Sequence, residues 1–118
     1  MNELLNNAPC GFLVFADDGK IIQINVNMQE LLGYEREELL NLPIEKIFTA
    51  GGRIFYQTHF FPLLKLQERI EEIYLDLLSK DGKTVPVLVN ASRRQEEEEF
   101  FNDCIFVKVQ QRNRYEEE

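Results

Sequence analysis

Few side chains in this 118-residue chain are of types that do chemistry. The single histidine, His59, sits in Arg53-Ile-Phe-Tyr-Gln-Thr-His-Phe-Phe. A neutral imidazole among aromatic rings suits an iron or haem ligand. The alternative is a partly buried ring that hydrogen-bonds a neighbour and packs on Phe55, Phe60 or Phe61. One histidine excludes a His-rich zinc site, and two cysteines, Cys10 and Cys104, exclude an all-cysteine one. Ser79 and Ser92 are the only serines, each beside a charged residue, with no base at a useful spacing. There is no P-loop, GxGxxG or GxSxG. Arg53, Tyr56, Gln57, Thr58 and His59 form a polar cluster able to orient a carboxylate or hydroxyl. For Arg53 a solvated pair with Gln57, one helical turn on, is the simpler reading; for Tyr56 and His59 both readings stand. Glu96–Glu99 lacks the ligand spacing and turn glycine of a calcium loop and reads as solvated chain. Neither an enzyme nor a metal site is expected.

Such side chains need a scaffold, and the composition bounds it. The length suits one domain, and 44% hydrophobic with 29% charged residues is an ordinary globular mix. Thirteen Lys+Arg against twenty-one Asp+Glu give a net charge of −8. An acidic chain without a basic stripe is a poor binder of nucleic acid or anionic lipid. No apolar run approaches the roughly 20 residues of a membrane span, and MNELLNNAPC lacks the basic start and apolar centre of a secretion signal. A soluble domain in the cytoplasm, with no direct membrane contact, is the expectation.

Along the chain, Gly11–Ala16 and Lys20–Asn25 flank Asp17-Asp-Gly19, a strong hairpin signal. A helix follows, with Asn27 as cap, Leu31 and Leu32 on its apolar side and Gly33 as stop. Two short helical turns, Glu35–Leu40 and Ile44–Phe48 behind Pro43, lead to a helix over Arg53–Gln67. Pro62 predicts a kink or a restart within it. In Glu72–Ser79, Ile73, Leu75 and Leu77 share one face; in Thr84–Arg94, Val85, Val87, Val89 and Ala91 do. Asp81-Gly82 turns between these strands. Gln95–Asn102 reads as a loop, Cys104–Val109 as the last strand and Gln110–Glu118 as the start of an outgoing helix. Hairpins at both ends with helices between them imply an α+β domain, one mixed sheet with its helices on one face.

Asn6-Asn-Ala-Pro-Cys-Gly-Phe-Leu-Val-Phe-Ala-Asp-Asp-Gly-Lys-Ile, Asn25 eight residues before Gly33, Leu32-Gly33-Tyr34, Glu37-Glu38-Leu39 and Ser79-Lys-Asp-Gly-Lys-Thr-Val-Pro-Val together resemble a PAS domain. The resemblance implies a five-stranded antiparallel sheet in order 2-1-5-4-3 with short helices on one face. It divides the chain into an N-terminal cap or dimerisation segment (1–7), the PAS domain (8–110) and the start of a linker helix (111–118). It also implies a sensory module that controls a kinase, phosphatase, cyclase or transcription domain of a longer bacterial signalling chain.

By the same analogy, Leu13, Phe15, Ile22, Ile24, Phe55, Tyr56, His59, Leu75, Val87 and Val89 line a cavity between sheet and helices. That cavity holds a small molecule, or it is filled and the domain acts as a ligand-free dimerisation module. Phe12, Val14, Ile21 and Leu88 would lie on the outer sheet face and, with Leu4 and Leu5, form a homodimer interface. Flavin photosensors of the superfamily carry a reactive cysteine in an Asn-Cys-Arg motif before the position of Gly51. Leu42–Phe48 has no cysteine, so flavin is not favoured; haem would rest on His59 alone, and no cofactor at all is the simpler expectation. The closing Asp-Ile-Thr motif is replaced by Gln110-Gln-Arg112. In the implied strand order Cys10 and Cys104 fall near opposite ends of a strand pair, over about 15 Å apart and too far for a disulfide.

Overall fold

The computed structural model describes residues 1–109. The expected outgoing helix from Gln110 lies outside them. After a short helix α1 (Glu3–Asn6), β1 (Gly11–Ala16) and β2 (Ile21–Ile24) form the first hairpin. Helix α2 (Val26–Leu32), helix α3 (Arg36–Leu39) and a 3₁₀ turn (Ile44–Ile47) lead to α4 (Ala50–Phe55). A π-helical turn (Tyr56–Phe60) joins α4 to α5 (Phe61–Gln67). Strands β3 (Arg69–Leu78), β4 (Thr84–Glu96) and β5 (Glu99–Lys108) complete one antiparallel sheet in the order β2-β1-β5-β4-β3. The core is a single apolar cluster between the inner sheet face and the helices.

Both Asp-Gly turns form as expected, with Gly19 at φ 88° and Gly82 at φ 86°, conformations open to glycine. Gly33 closes α2 in the left-handed region. The α2 cap is Asn25, not Asn27: the Asn25 side chain accepts from the Met28 amide. Pro62 acts as anticipated. Its ring cannot follow an unbroken helix past the carbonyl four residues back, so α5 restarts with Pro62 in its first turn, directly after the π-turn.

Three expectations fail for identifiable reasons. Gln95–Asn102 is not a loop: β4 and β5 run on to a tight Glu97-Glu98 turn, with Glu97 at φ 58°. Arg94 holds this extension, bonded across the strands to Asp103 at 2.8 Å and along the strand to Glu96 at 2.6 Å. In β2, a bulge pairs Val14 with Gln23 but Phe15 with Ile21, leaving Ile22 over. Ile21 therefore turns into the core (0% exposed), and Ile22, assigned to the cavity, faces outward (39%). Val14 lies outside the core cluster yet is itself covered, between Gln23 and Asp103.

Candidate functional site

The site that the fold builds is an aromatic layer between β1 and the helices. Phe15 meets Tyr56 edge-on at 5.9 Å and Phe61 at 5.8 Å. Tyr56 in turn contacts Phe48 (5.3 Å), Phe60 (6.1 Å) and Phe61 (5.8 Å). These are the separations at which ring quadrupoles attract. The π-turn sets the phase of this layer. A π hydrogen bond spans five residues rather than four, so the residue four on swings beneath the first while the residue three on rotates away. Phe60 stacks on Tyr56, and His59 turns to solvent.

Of the anticipated cavity residues, Leu13, Phe15, Ile24, Tyr56, Leu75, Val87 and Val89 come together in the core cluster, with Phe55 half-buried at its edge. Ile22 and His59 do not join them. His59 stacks face to face on Phe55 (5.4 Å), and its Nδ1 lies 2.7 Å from the Thr58 hydroxyl, which itself donates to the Ile54 carbonyl. A haem iron in the layer does not fit a histidine pointing away from it. The layer's polar group is Tyr56, whose pKa burial pushes up, so it stays a neutral phenol. Cys104, on the inner face of β5 opposite Leu13, is fully buried, and burial raises its thiol pKa well above the usual range. Cys10 precedes Gly11, which pairs with Phe106, so the two cysteines stand about three residues or ~10 Å apart along the strands rather than at opposite ends. Both are free. Among the described residues no three His, Cys, Asp or Glu side chains converge as a metal site.

Two buried amides, Asn25 and Asn102, fix the ends of β1. Asn25 is 0% exposed. Its Oδ1 accepts from Phe12 N (2.8 Å) and Met28 N (3.0 Å), and its Nδ2 donates to the Leu5 and Cys10 carbonyls. One side chain thus ties α1, the start of β1 and the first turn of α2 together through their backbones. Asn102, expected in a loop, is buried in β5 and donates to Phe15 O (3.2 Å) and Asp17 Oδ1 (3.1 Å). Arg93 completes that end, with two bonds to Asp17 at 2.7 and 2.6 Å and one to Asn102 Oδ1 at 3.2 Å. An Asn in register with Cys104 and Phe106 on an inward face was the available signal.

On the outer face, Tyr74 pairs with Leu88 and Leu88 with Val107, making an exposed apolar row across β3, β4 and β5. Phe12 and Ile105, neighbours in register, are half-buried beside it. Of the anticipated interface, Leu88 and Phe12 lie there, Leu4 (87% exposed) and Leu5 sit on α1, and Val14 and Ile21 are buried. Two open grooves lie away from the aromatic layer. One of about 720 Å³ runs between the end of α2 and the β3–β4 turn, and one of about 300 Å³ flanks the start of β3.

The description "PAS domain" attaches to the family model that matches residues 9–111. The chain belongs to the PAS domain family. It is 41% identical over 118 residues to the phosphoserine phosphatase RsbP of Bacillus subtilis, covering all of this chain but 29% of that protein. The PAS domain thus spans under a third of the curated relative it matches. A PAS domain of a Colwellia psychrerythraea protein shares the fold at a TM-score of 0.83 and 16% identity, over 91% of this chain and 92% of that one. A light-oxygen-voltage domain studied with a flavin analogue superposes at a TM-score of 0.77 with 16% identity, over 98% and 94%. At those identities the likeness is one of fold. As a PAS domain the chain is a regulatory sensory module of the kind found in signalling proteins.

Proposed function

We propose that this PAS domain senses a small apolar molecule at the aromatic layer and passes the change to an output domain of a longer chain through a homodimer. The observation that supports this reading is the π-turn. It interrupts a helix that Pro62 alone could have kinked, and it stacks Phe60 on Tyr56, which meets Phe15 edge-on; such turns recur at functional sites. A ligand would have to take the place of a ring, most easily Phe61 or Phe55 at the half-buried rim. It would be small and apolar, with one polar group for the Tyr56 hydroxyl. Haem and flavin are not favoured: His59 faces away, and 42–48 holds no cysteine.

The output we favour is a phosphoserine phosphatase, the activity named for the RsbP relative. Among the described residues no helix is long and apolar enough to cross a membrane, and two free cysteines suit a reducing compartment, so we place the domain in the cytoplasm. The outer row of Tyr74, Leu88 and Val107 supports the homodimer. It also supports a second reading, a ligand-free dimerisation module, because the layer is filled by side chains. Non-denaturing mass spectrometry of the purified protein separates the two. A mass excess that vanishes on denaturation, and falls in Tyr56→Phe, supports sensing. A clean apo mass, with unchanged dimerisation in Tyr56→Phe, supports the module alone.

A further inference from the structure

We propose that α1 is a latched element, held to the domain more by the side chains of Asn25 and Arg36 than by packing, and released when α2 or α3 moves. The proposal does not depend on what occupies the aromatic layer. Helix α1 contributes no buried residue, and Leu4 is 87% exposed. What joins it to the rest is polar. Asn25 Nδ2 donates to Leu5 O at 3.0 Å, and Arg36 Nη2 donates to Asn6 Oδ1 at 3.0 Å. A four-residue helix with no fully buried residue, only Leu5 and Asn6 half-buried, has little stability of its own, so these bonds decide whether it stays.

Both holding groups belong to parts that report on the core. Asn25 caps α2 through Oδ1, and Met28 and Leu32 of α2 are core residues. Met28 lies so close to β1 that a Cβ on Gly11 would meet its sulfur at 2.7 Å. A shift of α2 therefore carries Asn25 with it and draws Nδ2 off Leu5. Arg36 also donates to Ile24 O, and its helix α3 is tied to the β3–β4 turn by the Glu38–Lys80 pair at 2.6 Å. The latch thus has one arm on α2 and one on α3, and coupling of this kind is reciprocal.

Hydrogen exchange of the 118-residue chain, read by mass spectrometry, tests it at the amides of Asn6, Asn7 and Ala8, which are bonded within this segment. Arg36→Met removes one arm. Asn25→Asp keeps the acceptor that caps α2 and removes both donors. Each is expected to speed exchange at residues 5–8 by about five- to tenfold, the scale of one hydrogen bond, with the β4 and β5 peptides unchanged. Met28→Ala, a change inside the core, is expected to speed the same amides by a larger factor than it speeds β5. Should Asn25→Asp fail to fold, Arg36→Met and Met28→Ala still decide. Unprotected exchange at 5–8 in the unsubstituted protein would sink the latch. Unchanged exchange there in Arg36→Met would remove Arg36 from it, and unchanged exchange in Met28→Ala would remove its coupling to the core; either overturns the proposal.

Discussion

Replacing Arg93 with Met should cost about 2–5 kcal/mol of folding stability, and the structure says where the loss arises. The Arg93 side chain is 9% exposed and makes three hydrogen bonds, two to Asp17 and one to Asn102, while its guanidinium lies 4.2 Å from the centre of the Phe100 ring. Asp17 is 38% exposed and rehydrates when its partner goes, so that screened pair contributes only about 0.5–1 kcal/mol. Asn102 cannot rehydrate. Its stranded Oδ1 carries most of the cost, about 1–3 kcal/mol, and the ring contact adds about 0.5–1. Urea unfolding at neutral pH measures the difference as a shift in midpoint at constant slope. A pH series adds a second check. Burial by itself would raise the Asp17 pKa, but the hydrogen bonds from Arg93 and Asn102 and the Arg93 charge outweigh it and hold the carboxyl below its ordinary value. A depressed carboxyl stabilises the fold above its unfolded pKa, about 3.9, and that stabilisation is lost as pH falls through the lower folded value. The gap between parent and variant should be flat from about pH 5 to 8 and should narrow below about pH 4. A loss under about 1 kcal/mol, or a gap already shrinking near pH 6, would refute the assignment.

The remaining predictions are shorter. Leu88→Glu and Val107→Glu, at exposed positions paired across β4 and β5, should each give a folded monomer by light scattering; if both stay dimeric, the interface is elsewhere. Val14→Glu would not serve, because Val14 is 1% exposed and the charge would be buried. The purified protein should be colourless, and an absorbance band near ~400 nm that disappears in His59→Ala would restore the haem ligand. Mass measurement without reductant should find two free thiols, since the strand register keeps Cys10 and Cys104 about 10 Å apart.

Much of the fold was legible because local chemistry and global fold agree. Asp17-Asp-Gly19 and Asp81-Gly82 announce hairpins, and the alternation of Leu75, Leu77, Val85, Val87 and Val89 gives the inner face directly. Two of the failures share a cause: one residue inserted into a regular period. The bulge at Ile22 exchanges the faces of Ile21 and Ile22, and no residue type at that point signals it. The π-turn does the same to His59, moving the sharpest candidate ligand out of the layer and Phe60 into it. The β4–β5 extension was hidden differently. Four glutamates have weak strand and turn preference, and what holds them is Arg94, pairing with Asp103 across the strands. That pairing exists only once the strands are already in register.

The two buried asparagines bear on how a disturbance in the layer could leave it. β1 carries Phe15 and is clamped at both ends, at Phe12 N by Asn25 and at Phe15 O by Asn102. The Asn102 end is backed by the Arg93–Asp17 pair and, through Arg93 N, by the Glu68 carbonyl at the end of α5. The Asn25 end is backed by the Leu5 and Cys10 carbonyls, and Leu5 belongs to a helix with no fully buried residue. Load on Phe15 therefore meets a stiff end and a soft one, and the soft end yields at α1. The same exchange data test this ordering: in Met28→Ala, residues 5–8 should loosen before residues 15–18. The reverse order would put the soft end at Asn102 and direct the response into α5 instead.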